Sequence, residues 1–298
     1  MSKSQQVRVF LNNRSGIGSV SPETLCNMFA THGLACKVTI LERHLNLAAL
    51  SDHDPEEVAW IAAGGDGTVN AIAHAIAGTS RSMGILPVGT LNHFAQDLGL
   101  PRTLASAIEV IATGNIRIVD AAEVNGITFV NNSSLGVYPA MVLDRERMKK
   151  GGWNKWWSLV IASARAFIRF RCLQVEIAID GGTRRCTTPL LFVGNNLYTM
   201  EAGRLGRREH LDQGRLSLFL VPHANRAAML RLLIAALFGR VRGARELEEF
   251  TADRLTVHAR RRRLRVAYDG EVKCIPPPLH YASRPGSLHI IVPAQESH

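Results

Sequence analysis

The feature that most constrains this chain is a glycine cluster placed between two opposite periodicities. Residues 58–63 form a short apolar run of strand type. Residues 69–77 carry a helical pattern, and Gly64-Gly65-Asp66-Gly67-Thr68 lies between them, followed by Val69 and Asn70. A strand that ends in glycines and opens a helix lets the backbone approach an anion closely, with free N–H groups at the helix start. Asp66 would stand beside that anion. A carboxylate near phosphates is costly unless a cation bridges them, so the loop implies phosphate with Mg²⁺. A plain strand-to-helix turn with a capping Asp is the alternative, and the intact five-residue cluster argues against it.

The surroundings repeat the theme. Strand-like runs at 7–11, 36–41, 58–63 and 83–86 alternate with helix-like runs at 22–32, 69–77, 91–98 and 103–113. Ser21 before Pro22 marks a helix start. Alternation of this kind predicts an α/β domain with a parallel sheet covered on both faces. A second glycine loop, Pro87-Val88-Gly89-Thr90-Leu91-Asn92-His93-Phe94, follows the fourth strand, and a third, Asn12-Asn13-Arg14-Ser15-Gly16, follows the first. Loops at the carboxyl ends of parallel strands line the usual ligand crevice of such sheets. The third loop alone reads as an ordinary turn.

After about residue 120 the texture changes. Asn125-Gly126 marks a hairpin over residues 123–130. Helical patterns cover 139–149, 155–171 and 225–238. Strand signals fall at 173–179, 190–193, 216–221, 250–258, 264–268 and 288–292, with Asp180-Gly181-Gly182 as a turn. This half reads as mostly antiparallel β-structure. The expected division is residues 1–121 and 122–298.

The chain has 298 residues, 46% apolar and 20% charged, with a net charge of +10. That composition suits a globular protein with a sizeable core. No long charge-free apolar run suggests a membrane span, and the first residues lack the apolar stretch of a signal peptide. Five scattered cysteines suggest neither a disulfide framework nor a zinc site. The cytoplasm is the expected location. The positive charge fits an acidic partner without choosing among nucleic acid, anionic lipid and nucleotide phosphate. Nucleic acid is not expected, because the strands do not interleave aromatic and basic residues. The eleven histidines show no metal-binding spacing, and P-loop and protein-kinase signatures are absent.

The three glycine loops resemble those of the diacylglycerol kinase catalytic-domain family, which includes sphingosine kinases and bacterial lipid kinases. The resemblance runs over essentially the whole chain and continues at Tyr268-Asp269-Gly270-Glu271, where the family has its catalytic Asp-Gly-Glu. It implies a three-layer nucleotide-binding α/β domain followed by a β-rich, sandwich-like domain, with ATP in the cleft between them. It implies ATP and Mg²⁺ as cofactors and a lipid alcohol as acceptor. Asn12, Ser15, Gly16, Gly64, Gly65, Asp66, Gly67, Thr68, Asn70, Gly89, Thr90 and Asn92 then belong to the nucleotide site. Glu271 matches the proton acceptor, with Asp269 and Asp66 as its catalytic companions. Chemistry agrees in outline, since a lipid hydroxyl needs a nearby carboxylate to take its proton. Asp269 is the local competitor for that role, although Asp269-Gly270 alone reads as a hairpin turn.

Three departures stand out. Asn13 replaces the family's usual proline in the first loop. At Leu211-Asp212-Gln213-Gly214, Gln213 stands where the family commonly has an Asp that helps hold a structural Mg²⁺, and Met200-Glu201-Ala202-Gly203 replaces a glycine run. Asp212 and Gln213 are the metal candidates there. Trp153, Trp156 and Trp157 beside Lys149, Lys150 and Lys155 offer either a packed helix or an interfacial one. Arg260–Arg263 is expected as an exposed turn. A peripheral contact with an anionic inner membrane face and a homodimer are kept as expectations. An NAD kinase-like enzyme, which shares Gly-Gly-Asp-Gly-Thr, and a catalytically inactive lipid- or nucleotide-binding regulator are the competing readings.

Overall fold

The computed structural model describes residues 6–12, 20–42, 45–89, 92–139, 142, 172–198, 207–222, 231 and 247–294. The chain divides into two compact units, Met1–Ala121 with Arg284–His298, and Ala122–Ser283. A single boundary after residue 121 therefore misses the return of the chain, which re-enters the first unit after Ser283.

In the first unit, β1 (Gln6–Leu11), β2 (Ala35–Ile40), β3 (Ala59–Gly64) and β4 (Ser82–Pro87) pair in parallel in the order β2-β1-β3-β4. Every residue of β3 is buried, as expected for a parallel strand covered on both faces. Helices α1 (Pro22–Ala30) and α5 (Leu104–Thr113) bury Leu25, Phe29, Ile108 and Ile111 against Val9, Leu11 and Ile61. Ser21 caps α1, its Oγ accepting from Thr24 N–H at 3.1 Å. Thr103 caps α5 in the same way. Two further helices, α3 (Asp66–Ile76) and α4 (His93–Asp97), each follow a glycine loop. A further helix, α2 (Leu47–His53), buries no residue and is marked in the sequence mainly by its cap, Asn46, whose side chain accepts from Ala49 N–H at 3.1 Å. Its end is held by the buried Arg81, whose guanidinium donates to the carbonyls of Ser51, Asp54, Pro55 and Val58.

The second unit is an antiparallel sandwich. One sheet is built from β8 (Leu173–Ile179), β9 (Gly182–Thr188), β13 (Arg254–Ala259), β6 (Ile127–Phe129) with the end of β5 (Asn115–Val124), and the first part of β16 (Leu279–Val292). The other has the order β12-β11-β10-β7-β14-β15, over Glu248–Ala252, Leu216–Leu220, Leu190–Asn195, Asn132–Gly136, Leu264–Tyr268 and Glu271–Ile275. Phe129, Leu135, Ile177, Val193, Leu218, Val257 and Val266 fill the space between the sheets. Three hairpins use turns in which both central residues have positive φ: Asn125-Gly126, Asp180-Gly181 and Asp269-Gly270. These are I′-type turns, whose twist matches that of the strands.

The strand expected over 250–258 is two strands in different sheets. The chain crosses over at Asp253, whose carbonyl accepts from Ser283 N–H at 2.8 Å. The alternation changes phase there: Phe250 and Ala252 face inward before the crossover and Leu255 and Val257 after it, with Asp253 and Arg254 both exposed between them. β7 also escapes a search for apolar runs. Its Ser133 and Ser134 are wholly buried, and Ser133 Oγ donates to the Ala267 carbonyl at 2.9 Å. Arg261, Arg262 and Arg263 are exposed in the turn joining β13 to β14. The expected helices at 139–149, 155–171 and 225–238, with their tryptophans, lie almost entirely outside the described residues. Among the described residues no helix is long and apolar enough to cross a membrane.

Candidate active site

In the first unit the site begins where β3 stops. Gly64 is the last strand residue, and Gly65 is the N-cap of α3, with no side-chain cap over the helix start. Thr68 and Val69 N–H both bond to the Gly65 carbonyl, at 2.9 and 3.1 Å, which turns the chain into the helix. Gly64 has to lack a side chain because Thr68 Oγ1 would lie 2.2 Å from its Cβ. Thr68 is tied to the first strand in turn, with Asn12 Nδ2 donating to its hydroxyl at 3.0 Å.

The second loop presses on the first. A Cβ on Gly89 would fall 2.3 Å from Gly65 Cα and 2.5 Å from Asn92 Oδ1. Only glycine permits that backbone approach. Asn92, itself left-handed at φ 51°, donates from Nδ2 to the carbonyls of Pro87 and Gly89 at 2.8 and 2.9 Å and so closes the loop. Gly67 is exposed, with nothing within 4 Å of its Cβ position. Beside the second loop lies a hollow of about 300 Å³ lined by Pro87, Gly89, Asn92, His93, Gln96 and Arg102. Among the described residues, Asp66 Oδ1, Asn70 Oδ1 and Asn92 Oδ1 are buried acceptors without a hydrogen-bond partner. Buried acceptors of this kind suit a ligand that brings donors or a cation. The structure thus brings Asn12, Gly64, Gly65, Asp66, Gly67, Thr68, Asn70, Gly89 and Asn92 into two adjoining loops. Ser15, Gly16 and Thr90 lie outside the described residues.

The second unit contributes the Asp-Gly-Glu hairpin between β14 and β15. Tyr268 and Glu271 face each other across the turn, and Tyr268 Oη donates to Glu271 Oε2 at 3.3 Å. Burial pushes the Tyr268 phenol up to about 12, and the Glu271 carboxylate adds to the shift. The Glu271 side chain is exposed.

Asp269 is used differently. Its carboxylate accepts three backbone N–H bonds, from Val130 at 2.7 Å, Asn131 at 2.9 Å and Asn132 at 3.0 Å. Burial pushes it up to about 6, against the pull of those donors and of the Arg208 charge. A carboxylate so bonded ties the turn to the start of β7.

Asp212 and Gln213 are exposed in the irregular segment before β11. Gln213 is fixed through its backbone, its N–H donating to Asn196 Oδ1 at 3.0 Å. Among the described residues no three His, Cys, Asp or Glu side chains converge as metal ligands. Residues 200–203 lie outside the described residues. Nothing in the sequence pattern singles out Arg102 or Arg208. Both look like ordinary surface charges in a chain with 35 lysines and arginines, and Arg208 has no apolar pattern around it.

Residues 6–124 match the model of the diacylglycerol kinase catalytic domain, and residues 144–292 that of the YegS C-terminal NAD kinase beta sandwich-like domain. A diacylglycerol kinase of Bacillus subtilis (strain 168) is 26% identical over 240 residues, 80% of this chain and 78% of that protein. A solved diacylglycerol kinase structure from Bacillus anthracis str. Sterne superposes with a TM-score of 0.69 at 18% identity, over 98% of each chain. Another from the same organism gives 0.78 at 22% identity, over 98% of this chain and 96% of that one. At those identities the solved structures speak for the fold, an α/β unit with a parallel sheet and an antiparallel β-sandwich. The two domain models take in both glycine loops and the Asp-Gly-Glu turn, and the chain belongs to the diacylglycerol kinase catalytic-domain family of lipid kinases.

Proposed function

We propose that the chain is an ATP-dependent kinase that transfers the γ-phosphate to the hydroxyl of a lipid alcohol of diacylglycerol or sphingoid type. The observation that carries this reading is the backbone contact of Gly65 with Gly89, beside an uncapped helix start and the buried, unfilled Asp66 Oδ1. Phosphoryl transfer is mostly positioning and charge neutralisation. The N–H groups at the start of α3 supply fixed positive dipole ends for phosphate oxygens. Asn12 and Thr68 hold the loop in shape, and Asn92 holds its neighbour. Mg²⁺, when bound, neutralises phosphate charge, and Asp66 Oδ1 is the acceptor that would hold it.

Glu271 is the proton acceptor in this reading. Its carboxylate is exposed and steadied by the Tyr268 hydroxyl, whereas Asp269 is committed to three N–H groups. As the lipid oxygen attacks the γ-phosphorus, the bond from that phosphorus to the bridging oxygen breaks and ADP leaves, while the hydroxyl proton passes to Glu271 and then to solvent. A second metal at Asp212 and Gln213 would have one carboxylate and one amide for ligands. Those side chains alone do not complete a site, and no step is routed through them. The enzyme would work in the cytoplasm, meeting its acceptor at the inner membrane face.

The test is a kinase assay with labelled ATP over a panel of lipid alcohols in mixed micelles, with NAD as a parallel arm and products identified by mass spectrometry. A phosphorylated lipid is expected. Phosphorylated NAD alone would put an NAD kinase in its place. Nucleotide binding without any product would mark a regulator.

A further inference from the structure

Arg208 is an unusual residue for a chain of this composition, since it is only 3% exposed. Nη1 donates to the Val130 carbonyl and, at 3.2 Å, to the Asn195 carbonyl. Nη2 donates to Asn131 Oδ1 at 2.8 Å. The guanidinium carbon stands 5.4 Å from the centre of the Tyr198 ring. A buried charge needs this degree of pairing, and it usually needs an anion as well.

The anion is Asp269, and the connection runs through peptide groups. The Val130 carbonyl that accepts from Arg208 belongs to the same peptide whose N–H, on Asn131, donates to Asp269 Oδ1 at 2.9 Å. Asn195 Nδ2 also donates to that carbonyl, at 3.0 Å. The next peptide is arranged alike. The Asn131 carbonyl accepts from Tyr198 Oη at 2.8 Å and from Asn195 N–H at 2.9 Å, while its N–H partner on Asn132 donates to Asp269 Oδ1 at 3.0 Å. Donors on the carbonyl side polarise each peptide and strengthen its N–H as a donor on the other side. The charged and titratable groups that interact with Asp269 are Arg208 from the segment before β11 and Tyr268 from its own hairpin.

We propose that Arg208 is a positioning residue, which acts through the 130–132 peptides to keep Asp269 ionised and so holds the Asp269-Gly270 turn that presents Glu271. This rests on the reading of Glu271 as the proton acceptor. Its physical content is separate, because ionisation of Asp269 can be observed without catalysis.

The test compares wild type with Arg208→Met, which keeps bulk and removes charge, and Arg208→Gln, which also keeps a donor for the Val130 carbonyl. Asp269 is titrated by carboxyl ¹³C NMR, its signal assigned by loss in Asp269→Asn. Loss of an adjacent opposite charge should raise the Asp269 titration by about one pH unit or more. In lipid phosphorylation, kcat of the neutral variants should fall about threefold or more below wild type at pH 6.5 and converge toward it at pH 8.5. KM for lipid and nucleotide should not change. Arg208→Lys restores the charge and should bring the acid limb back toward wild type. If Arg208→Met does not fold, Arg208→Gln carries the same comparison. An unchanged Asp269 titration overturns the proposal, as does a kcat lowered equally at every pH. A protein without lipid kinase activity would sink the functional reading alone, since the NMR titration would still decide whether Arg208 controls Asp269.

Discussion

At the scale of single residues, the two glycine loops separate what holds the site together from what meets the ligand. Gly89 has no room for a side chain, so Gly89→Ala should force the loops apart. Overpacking of this kind costs about 1–3 kcal/mol, and the loss should appear both in thermal unfolding and in weakened ATP binding by calorimetry. Gly67 has open space around its Cβ position and sits in the first turn of α3. Gly67→Ala should keep the melting temperature, because alanine is the better helix residue. It should still weaken ATP binding, because a methyl group now stands where a phosphate would approach. A loop that served only as a turn would tolerate Gly67→Ala with nucleotide affinity intact. On the other unit, Glu271→Gln keeps size and loses basicity. Its kcat should drop by a factor of about 10² to 10⁴ with ATP affinity preserved. If Glu271→Gln stays near wild type while Asp269→Asn is dead, the two carboxylates exchange roles.

At the scale of elements, the β14–β15 hairpin carries a titrating brace, and its pH dependence has a definite sign. Folded Asp269 titrates at about 6, above its ordinary value of 3.8. Between those values the folded protein holds more of this proton than the unfolded chain does. Stability contributed by Asp269 therefore falls as pH rises from about 4 to 6 and levels off above. Asp269→Asn removes that slope. Urea unfolding of both proteins from pH 4.5 to 7.5 should show the wild-type stability declining relative to the variant over the lower half of that range. Parallel curves would show that Asp269 titrates alike in both states.

The same hairpin shows what a sequence can disclose. Its turn was legible because Asp-Gly at two positive-φ positions is a local requirement, as were Asn125-Gly126 and Asp180-Gly181. The strand-to-helix passage at Gly64–Thr68 was legible because two periodicities meet there. β7 and Arg208 were not, because their polar groups are satisfied by partners far along the chain. Ser133 finds the Ala267 carbonyl 134 residues away, and Arg208 reaches Val130 over 78. The crossover at Asp253 leaves only a one-residue slip in the alternation, from Phe250 and Ala252 to Leu255 and Val257, which a single strand over 250–258 runs through.

At the scale of the whole molecule, the first unit depends on residues from beyond the second. His289 and Ile290 in β16 pair in parallel with Ser82 and Met83 at the edge of β4. Ser287 accepts from Gly78 N–H through its carbonyl and from Ala121 N–H through Oγ, and Gly286 N–H donates to Asp120 Oδ1. Ile291 joins the apolar core under α1 and α5. A chain stopped after Ser283 should lose a strand of the first unit while its glycine loops remain covalently intact. Limited proteolysis should then cut that unit rapidly, and ATP protection against melting should vanish. Wild-type resistance in the shortened protein would mean the returning strand adds little. This closure also orders events at the ribosome. The first unit is the first to be translated and the last to be complete, since its fifth strand emerges only after the entire sandwich has been made. Until then the α/β unit offers the exposed edge of β4 to any passing strand, so synthesis of this protein carries a long interval of vulnerability to mispairing, and slower translation should lengthen it.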